Sequence, residues 1–172
     1  MPDLLSHVLL AYAVLTVASW RLNRLTDEWI AVGVAGAAIP DLIKAELLVD
    51  SAVVSRAIGV PFDVEAIGTL GGVLLVAGVI ALAFGRRWRP AYAALVAGGG
   101  ASLVFDGLRA YADGRASFWL YPIPWRPPTP SLYVSSDPAV LAAAALVAGG
   151  VAVADRRVGE SADRPPGGRT GE

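Results

Sequence analysis

Three ionisable side chains lie at the ends of apolar segments, where burying a charge is expensive. His7 is near the start of the first apolar segment, Asp41 follows Pro40 at the end of a short one, and Asp106 is near the end of a later one. A charge at membrane depth is costly unless it is paired or hydrated, so such residues are functional candidates. One imidazole and two carboxylates also suit zinc, manganese or magnesium, with positions left for water. The residue types therefore predict a divalent metal site made by His7, Asp41 and Asp106.

The composition indicates the surroundings of these residues. The chain of 172 residues is 55% hydrophobic and 17% charged, and its mean hydropathy is +0.57. Soluble domains carry about 25% charged residues. The composition therefore predicts an integral membrane protein whose partner is the lipid bilayer. The length allows one domain and excludes a large soluble catalytic module beside the apolar segments.

The charges argue against a nucleic-acid partner. The net charge is -1, and the 13 arginines and the single lysine are dispersed along the chain. Phosphate binding needs a concentrated basic face, which this sequence lacks. The sequence has no cysteine, so it has neither a disulfide framework nor a thiolate metal site.

Apolar segments of helical length predict the architecture. Four of them are close to the roughly 17 to 25 residues that cross a bilayer: residues 4–20, 66–84, 91–108 and 138–154. A fifth run, from Trp29 to Ile39, is too short to cross alone, and we expect a short second helix sheltered in the bundle. The sequence predicts an all-α membrane bundle over residues 1–157, with about five transmembrane helices. Residues 158–172 are polar and rich in Gly and Pro, which predicts a disordered tail.

Arginines orient this bundle. If five segments cross, seven arginines lie on one side, which the positive-inside rule makes cytoplasmic. They are Arg21, Arg24, Arg86, Arg87, Arg89, Arg156 and Arg157. The prediction is a multi-pass protein of the cell (inner or plasma) membrane, with its N-terminus outside and its C-terminus in the cytoplasm. The same topology places His7, Asp41 and Asp106 together at the outer border.

The two longer outer loops, residues 42–65 and 109–137, carry local signals. Asp50 and Gly59 flank a short amphipathic helix over residues 51–58, which we expect to lie on the membrane surface. Four aromatic residues in the second loop predict an interfacial belt: Trp119, Tyr121, Trp125 and Tyr133.

The order of these motifs resembles the family of membrane-bound, metal-dependent hydrolases also described as LexA-binding inner-membrane proteins, especially its archaeal-type members. The family pattern is a His in the first helix, Pro-Asp ending the second, a Thr-His or His-Thr element opening the third, and Ser-His with Asp four residues later in the fourth. Here "SHVLLAY" contains His7, "IPDL" contains Asp41, "GTLGG" stands at the third element and "ASLVFD" ends at Asp106. The similarity covers roughly residues 3–155.

This resemblance implies a metal-dependent hydrolase acting on a phosphoester or lipid-linked substrate. Asp41 and Asp106 are its predicted catalytic residues, and His7, Asp41 and Asp106 are its predicted ligands for one zinc or manganese ion. The chain departs from the family at Gly68 and Ser102, where the family has histidines.

The departures leave two functions open. With no other histidine in the sequence, the remaining candidates for a separate general base are Asp63, Glu65 and Asp113. The first function is an enzyme that hydrolyses a membrane-associated substrate. The second is a catalytically decayed relative that acts as a membrane scaffold or partner-binding protein. In the second case Asp41 would only end a helix beside Lys44.

Overall fold

The computed structural model describes residues 2–47, 50–59, 63–121, 123, 125–134 and 137–162. Within this part the chain forms six α-helices, three 3₁₀ helices and no strand, which confirms the all-α prediction. The α-helices are α1 (Pro2–Ser19), α2 (Asp27–Gly36), α3 (Ser51–Ile58), α4 (Leu70–Leu82), α5 (Trp88–Gly107) and α6 (Pro138–Ala162). The 3₁₀ helices are Pro40–Leu47, Val64–Gly68 and Gly85–Arg87.

Helix α5 lies at the centre of the bundle. It packs against α1, α2 and α4, while α6 packs against α1. The crossing of α2 and α5 is very close: a Cβ at Gly98 would overlap the carbonyl oxygen of Gly33, and a Cβ at Gly36 would overlap the backbone of Leu95. Glycines that allow such an approach are typical of packed membrane helices. The glycine-rich stretch of α5 therefore serves helix packing at Gly98.

One helix segment among the described residues is long and apolar enough to cross a membrane by length and composition, Pro138–Val158. Two shorter apolar helices, Leu4–Ser19 and Leu70–Leu82, lie within α1 and α4. The prediction of about five transmembrane helices is therefore not confirmed, although the all-helical class is.

Two of the predicted segments are shorter as helices than as apolar runs. Helix α4 begins at Leu70 because Thr69 caps it, with its hydroxyl accepting the Gly72 N–H at 3.1 Å. Helix α2 has 10 residues and ends at Gly36. Beyond it Pro40, which has no N–H to donate, opens a 3₁₀ helix. Asp41 therefore lies in that 3₁₀ helix, past the end of α2.

The short helix predicted over residues 51–58 is confirmed as α3. The Asp50 carboxylate accepts the Ala52 N–H at 2.7 Å, and Gly59 ends the helix with a φ of 70°. At the other end of the chain, α6 continues to Ala162, five residues into the tail that the sequence predicts to be disordered. Residues 163–172 lie outside the described part.

The predicted aromatic belt is divided between the surface and the interior. Tyr121 and Trp125 are 54% and 56% exposed. Tyr133 instead turns inward and donates a hydrogen bond to the Phe105 carbonyl oxygen at 2.8 Å. Trp119 lies partly buried, against the core cluster that includes Leu103. Only two of the four aromatic residues are therefore exposed as a belt requires.

Candidate functional site

The structure brings the three predicted site residues together. His7 belongs to α1, Asp41 to the 3₁₀ helix after α2, and Asp106 to the last turn of α5. The His7 Nδ1 atom lies 3.6 Å from Asp41 Oδ2, and its Nε2 atom lies 3.5 Å from Asp106 Oδ1. The imidazole thus lies between two carboxylates, and these ion pairs form when it is protonated.

Two permanent cations extend this cluster at its ends. Lys44 Nζ lies 2.5 Å from Asp41 Oδ1, and Arg109 Nη1 lies 4.0 Å from Asp106 Oδ1. Each cation comes three residues after its carboxylate, so local helical geometry brings the pair together. We refer to Lys44, Asp41, His7, Asp106 and Arg109 as the charge chain. Positive and negative groups alternate along it when His7 is protonated.

Burial and charge act in opposite directions on Asp41. Burial raises the pKa of the Asp41 carboxyl, but hydrogen bonds and charge from His7 and Lys44 lower it by more. The net result is a pKa below the usual value, so the carboxylate form is favoured. Asp41 therefore remains an anion that can hold the imidazole in place.

The loop that follows α5, residues 109–137, fixes the end of α5 that carries Asp106. The Tyr111 hydroxyl donates to the Asp106 carbonyl oxygen at 3.2 Å, and the Tyr133 hydroxyl donates to the Phe105 carbonyl oxygen at 2.8 Å. These two carbonyl oxygens also accept the backbone N–H groups of Leu108 and Arg109, so each phenol adds a second hydrogen bond. The loop thereby orders the turn from which the Asp106 side chain projects.

The same loop also binds the start of α4. The Leu70 N–H donates to the Trp119 carbonyl oxygen at 2.6 Å, and the Gly71 N–H donates to the Tyr121 carbonyl oxygen at 2.8 Å. The first N–H groups of a helix need outside acceptors, which explains why the loop attaches here. The attachment holds Trp119 and Tyr121 beside the charge chain.

A cavity of about 600 Å³ lies beside the charge chain, and all five of its residues line the cavity. The other lining includes carboxylates and aromatic rings, namely Asp63, Glu65, Tyr111, Phe118, Trp119 and Tyr121. Its volume is within the roughly 300 to 1,000 Å³ of small-molecule sites. The cavity therefore has the size and the mixed lining of a binding site.

The three predicted metal ligands do not surround a common point. Nδ1 and Nε2 lie on different edges of the His7 ring, and each faces a different carboxylate. A metal on Nε2 beside Asp106 would leave Asp41 behind the ring, where a carboxylate orients the imidazole but does not bind the metal. Over the described ranges, no group of three or more His, Cys, Asp or Glu residues could hold a metal ion. The three side chains do not converge on one point in this arrangement, so their role as ligands of one zinc or manganese ion stays a prediction.

The two positions that depart from the family pattern differ in their surroundings. Gly68 lines the cavity, and a Cβ there would meet Ile43 Cδ1 at 3.5 Å and the Pro40 carbonyl oxygen at 3.7 Å, which are ordinary contacts. Ser102 is fully buried, and its hydroxyl has no hydrogen-bond partner in the part of the chain that the structure describes. A side chain at position 68 would therefore have room at the cavity, whereas Ser102 belongs to the core.

The three carboxylates that were candidates for a separate general base lie in different places. Asp63 and Glu65 line the cavity. Asp113 forms an ion pair with Arg126 at 2.6 Å, elsewhere in the loop that follows α5. Backbone N–H donation from Arg115 and the Arg126 guanidinium lower the pKa of Asp113 below its usual value. Asp113 is therefore a structural residue of the loop.

The aromatic lining of the cavity was not predicted from the sequence. Trp119 and Tyr121 were predicted to face the membrane interface, and Tyr111 and Phe118 were not singled out, although all four line the cavity. Burial raises the pKa of the Tyr111 hydroxyl above its usual value, so this group is a hydrogen-bond donor at neutral pH. Neither Tyr111 nor Trp119 carries a local signal, because both lie in irregular structure that is ordered by contacts distant in sequence.

No protein family, curated protein or solved structure matches the chain. The resemblance to membrane-bound, metal-dependent hydrolases stays a prediction carried by the short motifs around His7, Asp41 and Asp106.

Proposed function

We propose that the protein is a membrane hydrolase of a phosphoester or lipid-linked substrate, with the cavity beside the charge chain as its active site. One observation carries this proposal: residues from α1, the 3₁₀ helix and α5 meet at a cavity as an Asp41–His7–Asp106 arrangement. Groups that can hold and move protons, placed beside a cavity, are typical of acid–base catalysis.

Accessibility separates the roles of the three residues. The side chain of Asp106 is 23% exposed, compared with 14% for Asp41 and 6% for His7. Asp106 is therefore the proposed proton-transfer group. It accepts a proton from the water that attacks phosphorus and returns it to the leaving oxygen when the P–O bond breaks. His7 and Asp41 are positioning residues, since His7 holds Asp106 from one side while Asp41 holds His7 from the other.

The cations at the ends of the charge chain suit a phosphoester. Negative charge on the phosphate oxygens increases as water attacks, and nearby cations stabilise that charge. Lys44 and Arg109 both line the cavity.

We also propose that the bundle crosses the membrane five times, with its N-terminus outside. Large apolar side chains are exposed on several helices, including Leu75 at 68%, Leu82 at 71% and Leu146 at 78%. Exposure of such an extensive apolar surface to water is unfavourable, and the composition favours lipid as its environment. Helix α2 is too short to cross alone, but it packs against α1 and α5, which supply shelter.

A second candidate is a non-catalytic scaffold or partner-binding protein. The observation that favours it is the deep burial of His7 between two carboxylates, because such networks also occur purely as structural links. In this case the charge chain would join three helical elements and perform no chemistry.

A substrate screen tests the hydrolase against the scaffold. Purified protein in maltoside micelles would be incubated with short-chain phospholipids, nitrophenyl phosphodiesters and a lipid pyrophosphate, and product release would be measured. A hydrolase releases product from at least one class in proportion to protein concentration. Absence of turnover on all three classes by correctly folded protein would favour the scaffold.

A further inference from the structure

The fixed charges around the cavity are unevenly distributed. Four carboxylates and two permanent cations line it. Lys44 and Arg109 each pair with a carboxylate of the charge chain. In the described structure, Asp63 and Glu65 have no ion pair with a cation. One part of the cavity lining therefore carries surplus negative charge, which attracts a positively charged group.

Aromatic side chains in the lining add a second reason to expect a cation. Tyr111 and Phe118 already have arginine guanidinium groups over their rings, Arg109 at 4.6 Å and Arg126 at 5.5 Å. Trp119 has no such guanidinium within the described ranges, and tryptophan gives the strongest cation–π attraction. Its backbone carbonyl is bound to the Leu70 N–H at 2.6 Å, which restrains its position.

We infer that the cavity binds an amphiphile with a zwitterionic headgroup, whose phosphate lies beside the charge chain and whose ammonium lies beside Asp63, Glu65 and Trp119. This inference rests on the proposed hydrolase function, which it extends to a substrate class. The phosphate is directed towards Lys44 and Arg109, and the ammonium towards the carboxylates without cations. An alkyl chain would leave past Tyr121, an exposed side chain of the cavity lining.

The test is a binding measurement that does not depend on hydrolysis. We would titrate the Asp106→Asn protein in maltoside micelles with an alkylphosphocholine, with an alkyl phosphate of the same chain length, and with free phosphocholine, using calorimetry. We expect the alkylphosphocholine to bind most tightly. If the alkyl phosphate binds as tightly, the ammonium subsite is overturned. If free phosphocholine binds as tightly, the ligand is a soluble headgroup and the lipid assignment is overturned.

Substitutions identify the ammonium subsite. The double variant Asp63→Asn with Glu65→Gln removes two charges. In the wild type the Asp63 carboxylate accepts the backbone N–H of Glu65 at 2.9 Å, and the asparagine oxygen can accept the same backbone N–H in the variant. We expect the alkylphosphocholine to bind roughly threefold to tenfold more weakly, since exposed charge pairs are individually modest. The matched control, Asp27→Asn with Glu28→Gln, removes two charges from the start of α2 and should leave the affinity unchanged. Equal affinities in both double variants would overturn the inference.

The aromatic contribution is tested separately at Trp119. Trp119→Leu should weaken alkylphosphocholine binding, while Trp119→Phe should restore part of it, because only an aromatic ring attracts the ammonium. Equal binding by the two variants would argue against the cation–π contact. If binding follows all these expectations but no turnover occurs in wild-type protein, the proposed hydrolase fails while the binding site stands.

Discussion

The Nε2 atom of His7 lies 3.5 Å from Asp106 Oδ1, and this pair joins the start of α1 to the end of α5 at the edge of the cavity. The other imidazole nitrogen faces Asp41, so one side chain connects three elements that are far apart in sequence. In the imidazolium form both nitrogens can donate, whereas in the neutral form only one can. The stability of this end of the bundle should therefore depend on His7.

Replacement of His7 should destabilise the protein. His7→Ala leaves two carboxylates facing a gap without the imidazole between them, and we expect a loss of about 2 to 4 kcal/mol in the free energy of unfolding. Denaturant unfolding in maltoside micelles would measure this loss. His7→Asn, which keeps one N–H donor, should lose less. Equal stability of wild type and His7→Ala would show that the ion pairs are not formed in solution.

The close approach of α2 and α5 should make Gly98 intolerant of a methyl group. A Cβ at Gly98 would overlap the Gly33 carbonyl oxygen, so Gly98→Ala should cost about 1 to 3 kcal/mol or more. Gly100→Ala on the same helix is the control, since nothing lies within 4 Å of its added Cβ. That variant should be neutral or slightly more stable, because alanine favours helices over glycine. Similar unfolding midpoints for both variants would contradict the helix crossing described above.

The Asp113–Arg126 pair should contribute to stability only above acidic pH. The folded-state pKa of Asp113 lies below its ordinary value of 3.8, so the contribution is complete above that value and is lost as pH falls through the lower folded-state pKa. Asp113→Asn should therefore melt at a slightly lower temperature than wild type at about pH 6, and the difference should shrink as the pH falls below 3.8. Asp27→Asn serves as a charge-matched control. A difference in melting temperature that grows on acidification would have the wrong sign for this explanation.

The proposed topology can be tested by labelling, because the sequence has no cysteine. Ala112 lies exposed in the second outer loop and Leu22 lies exposed after α1. In intact cells, a membrane-impermeant maleimide should label Ala112→Cys and should leave Leu22→Cys unlabelled until the cells are permeabilised. The reverse pattern would place the cavity at the cytoplasmic side. Labelling of both in intact cells would contradict the five crossings.

The sequence predicted the limits of α3 and the proximity of the three site residues. Asp50 and Gly59 predicted the limits of α3, because a capping carboxylate and a left-handed glycine act on their immediate neighbours. Counting the crossings predicted that His7, Asp41 and Asp106 would lie at one end of the bundle, and the structure brings them together.

Interactions between distant segments could not be predicted. The attachment of the Trp119 carbonyl to the Leu70 N–H joins backbone groups, which have no residue-specific signature in a sequence. The sequence also did not predict that the two imidazole nitrogens of His7 face different carboxylates. Residue types can suggest a set of ligands, but they do not give the direction in which each atom points. The length of the apolar run also overestimated the length of α4, because the Thr69 cap fixes the start of this helix at Leu70.

The role of Asp106 in hydrolysis is tested most directly by the kcat of Asp106→Asn on a short-chain phospholipid, or on another substrate that the wild type hydrolyses. The assay temperature is chosen so that both proteins are folded. We expect this substitution to lower kcat by at least about 100-fold, the usual contribution of a proton-transfer group. Asp113→Asn, which removes a carboxylate from the loop after α5 but not from the cavity lining, should retain wild-type kcat. A folded Asp106→Asn protein with undiminished kcat would contradict the assignment of this cavity as a hydrolytic site.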